Sequence, residues 1–64
     1  MRVTEFWARM EHALGEGYAR FWAESTVLAD LGGRTPAQAL DAGVDPKQVW
    51  HAVHAFRGLP PSER

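Results

Sequence analysis

Apolar residues recur along this chain at helical spacing, and glycines and prolines cut the pattern into segments. Val3, Phe6, Trp7, Met10 and Leu14 form one stripe, which predicts a first helix with Thr4 as its N-cap and Glu5 in the first turn. Gly15 is a natural stop, and the connection Gly15-Glu16-Gly17 is short enough to fold the next helix back on the first. A second helix is predicted from about Gly17 to Leu31, burying Tyr18, Phe21, Trp22, Leu28 and Leu31, with Val27 flanking. Ser25 and Thr26 are poor helix formers and mark a place where it can bend. Gly32 and Gly33 end it.

The second half carries two start signals. Thr35-Pro36-Ala37-Gln38 has the form of a capping box with Pro at the first helical position, and opens a short helix from about Pro36 to Ala42. Asp45-Pro46-Lys47-Gln48 repeats the device with Asp as cap. The last helix then runs from about Pro46 to Arg57, burying Val49, Val53 and Phe56, with Trp50 and Ala52 at the edges of the stripe. Gly58 closes it, Leu59 is expected to pack back, and residues 60–64 cannot continue it and should fray. No strand-like alternation occurs. The expected fold is all-α: a bundle of three main helices plus one short helix, forming one domain over residues 1–59.

Composition narrows the possibilities. The chain has 64 residues and seven aromatics, so a dense aromatic core can fold it without staples. It has no cysteine, which excludes disulfides, thiolate metal sites and thiol nucleophiles. No apolar run has signal-peptide or transmembrane length, so a cytoplasmic location without membrane contact is expected. A net charge of −1 invites neither nucleic acid nor an anionic membrane through bulk electrostatics.

The residues that could carry chemistry are sparse. His51 and His54 share a helix face, but a zinc site wants three or four ligands, and His12 or a carboxylate would have to join them. No metal or cofactor is therefore expected. The carboxylates fall on polar faces or near helix starts, and an interior filled by aromatics leaves little room for a catalytic pair. Ser25, Thr26 and Ser62 have no base in register. Gly32-Gly33-Arg34-Thr35 lacks the spacing of a phosphate loop. Arg34 itself can pair with Asp30 or a helix-end carbonyl, or anchor a partner's carboxylate or phosphate.

The stretch from Arg34 to Val53 has helix-turn-helix spacing. Ala39 lies four residues before Gly43, Val44 follows it, and Val49 lies six after. In that register the last helix would offer Asp45, Lys47, Gln48, Trp50, His51 and His54 to a DNA groove, with Lys47 the only fixed cation. Residues 33–64 carry four fixed cations against three carboxylates, a net of +1, whereas strong DNA binders neutralise several phosphates. The spacing is thus a better argument for packing than for DNA reading.

Several segments resemble the actinobacterial family known as domain of unknown function 3046. These are Met1–Met10, Val27–Leu40 and Ala42–Val53, and the most specific pieces are Thr4 with Phe6 and Trp7, Gly32-Gly33-Arg34-Thr35, Ala39-Leu40, Gly43, and Val49-Trp50 with Ala52-Val53. The family commonly has Cys after that last Val, where this chain has His54. The resemblance implies a cytoplasmic protein, gene proximity to the recombinase RecA and its regulator RecX, and no catalytic residues to carry over.

A binding role without catalysis is the leading expectation: a protein-interaction module, or a self-associating one. Trp50, Trp7 and Arg34 are its candidate anchors, since Trp and Arg are favoured at interfaces. Nucleic-acid binding through Lys47, His51 and His54 is the alternative. An exposed Trp50 would indicate a site, and a buried one a scaffold.

Overall fold

Four α-helices and one 3-10 turn succeed one another: α1 (Val3–Leu14), α2 (Tyr18–Ser25), the turn Ala29–Leu31, α3 (Pro36–Asp41) and α4 (Pro46–Arg57). The structure, a computed structural model, describes residues 1–58, so the expectations for Leu59 and for residues 60–64 lie outside the described residues. The all-α expectation holds, with three longer helices and the short α3. The one sheet-like feature among the described residues is an isolated antiparallel bridge between Leu28 and Arg34.

α1 starts one residue before the predicted cap. Arg2 is extended at the N-cap position, and its carbonyl accepts from the N–H of Phe6 at 3.0 Å. Thr4 therefore lies inside the first turn and caps nothing. A helix can begin without a side-chain cap where its exposed N–H groups meet water. Phe6 and Met10 are buried, while Trp7 and Leu14 are half-buried and Val3 is exposed.

The second helix is half the predicted length. Ser25 donates its hydroxyl back to the carbonyl of Phe21 at 2.7 Å, and Thr26 turns extended at φ −103°, ψ 118°. The weak spot is a break, because Ser back-bonding and β-branched Thr26 and Val27 both disfavour another turn. The chain then forms a closed loop. Leu28 donates its N–H to the carbonyl of Arg34, and its own carbonyl accepts from Leu31 and Gly33.

The buried face of α2 also differs. Ala19, Trp22 and Ala23 point inward, whereas Tyr18 and Phe21 are exposed. Alanines at i and i+4 let α2 lie close against α1, which displaces the larger rings to the flank. A similar rotation affects α4, where Val49, Trp50, Ala52 and Val53 are buried and Phe56 is exposed.

α3 and α4 both start where predicted, but only the Thr35 signal forms a complete capping box; at Asp45 the cap alone forms. Thr35 Oγ1 accepts from the N–H of Gln38 at 3.1 Å, and Gln38 Oε1 accepts from the N–H of Thr35 at 3.0 Å. Thr35 is itself buried, and these bonds satisfy it. Asp45 Oδ1 accepts from the N–H of Lys47 at 3.0 Å. Between the two helices, Val44 donates to the carbonyl of Ala39 and Gly43 to that of Leu40, which is the Schellman pattern. The pattern requires a left-handed residue at its turn, and Gly43 takes it at φ +89°. Ala39 and Val49 are buried and Val44 packs against the core. The packing half of the helix-turn-helix spacing is present.

Candidate functional site

Trp50 is 1 % exposed. It is a core residue, which corrects its assignment as a surface anchor. The reason is helical register: α4 turns residues 49, 50, 52 and 53 toward the core, and Phe6 of α1 meets the Trp50 indole edge-on with centroids 6.4 Å apart. The ring of His54 contacts its other side at 6.4 Å. The indole N–H of Trp50 is buried and has no hydrogen-bond acceptor among the described residues. A buried tryptophan usually satisfies that donor, so its orphan state calls for a physical account.

The edge of this Trp50 site is a cleft of about 330 Å³ between α1 and α4, lined by Met1, Glu5, Arg9, Lys47, Trp50 and His51. Helical spacing assembles each wall. Glu5 and Arg9 lie four apart on α1, and Lys47, Trp50 and His51 are at i, i+3 and i+4 on α4. The structure thus brings together three of the residues singled out in the sequence and adds Glu5 and Arg9. Lys47 and His51 are exposed, and Arg9 is half-buried.

The other predicted anchors lie elsewhere. Trp7 is half-buried, with the guanidinium of Arg20 4.1 Å from its ring centroid and Phe6 edge-on at 5.2 Å. It borders a separate cavity of about 450 Å³ with Glu11, Arg20, Phe21 and Glu24. Arg34 is exposed, and its main-chain carbonyl closes the loop with Leu28. No group of three metal-ligating side chains occurs among the described residues.

An apolar surface was not foreseen from the sequence. Phe56 is 60 % exposed, Phe21 66 %, Val27 58 % and Tyr18 50 %. Phe56 rests 6.0 Å from the ring of Trp22, and Tyr18 6.4 Å from that of Phe21. Val27, Ala29, Ala52, Ala55 and Phe56 line a groove of about 350 Å³. The signal that could have found this surface is the Ala19–Ala23 pair, which competes with the aromatics for the inward face of α2.

No helix among the described residues is long and apolar enough to cross a membrane. Comparison with curated proteins and with solved structures finds no match. A family model, by contrast, matches residues 1–62, nearly the whole chain. That match agrees with the resemblance carried by Gly32-Gly33-Arg34-Thr35 and by Val49, Trp50, Ala52 and Val53, and the chain belongs to the family described as protein of unknown function (DUF3046).

Proposed function

We propose that this domain works by binding rather than catalysis, and that its partner is a second copy of the same chain. The contact surface is the apolar face carried by α2 and the end of α4. One observation supports this reading: Tyr18, Phe21, Val27 and Phe56 leave half or more of their surface in solvent. Large exposed apolar side chains mark candidate interaction sites, and aromatic ones are favoured anchors there. A net charge of −1 lets two copies approach without long-range repulsion. A standard interface takes about 800 Å² from each partner. That is roughly a fifth of the 3988 Å² accessible here, so both helices must contribute.

Sedimentation equilibrium from micromolar to millimolar protein tests the proposal. Dimers that dissociate in Phe56→Ser and Phe21→Ser, with unchanged circular dichroism, are the expected result. A strict monomer at every concentration rejects self-association, and dimers indifferent to both substitutions reject this face.

Nucleic-acid binding through α4 is the second reading. Its support is that Lys47 and His51 are exposed while Val49 and Val53 point inward, as a groove-reading helix would hold them. Asp45 at the start of α4 opposes phosphate there. Titration with duplex and single-stranded DNA decides it: no binding at roughly 50 mM salt, or binding without a steep salt slope, rejects the reading.

A further inference from the structure

We propose that the cleft between α1 and α4 binds a small ligand through a single oxyanion group, a carboxylate or a phosphate. Arg9 and Lys47 line it with fixed positive charge, and Trp50, which also lines it, carries a buried indole N–H that lacks an acceptor. An indole N–H can only donate, so what completes it must be an acceptor. Leaving such a group buried and unmet opposes folding, and an acceptor that reaches it relieves that penalty.

The cleft has the size and charge for this role. Its volume of about 330 Å³ falls at the small end of ligand sites. Two fixed cations face one carboxylate, Glu5, so the local balance is positive although the whole chain is not. Arg9 offers a planar fork to an oxyanion and Lys47 a point charge. Met1 and the indole ring supply apolar wall for the rest of the ligand. The indole N–H is shielded in the unliganded arrangement. A ligand oxygen reaches it only when the side chains that shield it move aside. Glu5 lowers the net positive charge of the cleft, so one oxyanion group is the expected limit.

The test follows the three tryptophan indole N–H signals by NMR while sodium acetate or inorganic phosphate is added at constant ionic strength. The expected result is a saturable shift of the Trp50 signal with either probe, while those of Trp7 and Trp22 stay in place. The probe that saturates at lower concentration identifies the preferred oxyanion. Arg9→Gln and Lys47→Gln should each weaken binding about tenfold or more, since each removes a charge-assisted hydrogen bond. Glu5→Gln should tighten it, a gain that misfolding cannot imitate. The proposal is overturned if neither probe saturates the Trp50 signal, if all three signals move together, or if affinity is the same in folded Arg9→Gln, Lys47→Gln and Glu5→Gln proteins.

Discussion

The N–H of Leu28 donates to the carbonyl of Arg34 at 3.0 Å, closing the loop between α2 and α3 by main chain alone. The side chains at its two ends therefore differ in weight. Leu28 is buried and Arg34 exposed. Leu28→Ala should cost about 2–5 kcal/mol of stability, the range for a buried leucine. Arg34→Ala should leave the urea midpoint unchanged. Chemical denaturation of the two variants checks both, and a large loss for Arg34→Ala would give its side chain a structural role.

Trp50→Ala should cost roughly 3–5 kcal/mol, because it empties the contact with Phe6. For 64 residues at roughly 0.05–0.15 kcal/mol each the whole stability is about 3–10 kcal/mol, so this variant should lose a large share of it and melt at a much lower temperature. Trp50→Phe keeps a ring in place and removes the unmet N–H, so it should remain folded. Thermal melts followed by circular dichroism separate the two outcomes.

The start of α3 and the turn after it make a matched pair of tests. Thr35→Ala should cost about 1 kcal/mol, the usual value of a lost N-cap, and Thr35→Ser should recover most of it. Gly43→Ala meets no atom within 4 Å, so its penalty is backbone strain at φ +89°, about 1–2 kcal/mol. Urea titrations of the three variants should show these losses with an unchanged m-value.

Most features governed by neighbours in sequence were legible, the Thr4 cap of α1 excepted, and those governed by distant packing were not. The Thr35 capping box, the Asp45 cap and the Gly43 turn each involve residues within a few positions of one another. The break after Ser25 was visible as a weak spot, but its depth depended on Leu28 finding Arg34. The inward faces of α2 and α4 were misplaced because periodicity names a stripe without saying which edge of it meets the neighbouring helix. Ala19 and Ala23 won over Tyr18 and Phe21 through closeness of approach. The cleft divides in the same way. Lys47, Trp50 and His51 share one helix, so their grouping follows from spacing. Glu5 and Arg9 join them only because α1 crosses α4, which no local pattern announces.

Ala23→Leu tests that explanation of the α2 face. Ala23 is fully buried, and added methylenes should force α2 away from its neighbours. The expected loss is about 1–3 kcal/mol, read from urea denaturation. Phe21→Ala, at an exposed position on the same helix, should change stability far less.

Phe6 and Trp50 join the first helix to the last, and this constrains how the chain can be made. During synthesis, Phe6 and Met10 emerge long before the ring that covers them. A nascent chain ending before α4 cannot complete its core and exposes apolar surface open to aggregation or to chaperones. Native packing must wait until α4 has been made, and truncations before Trp50 forfeit its contact with Phe6.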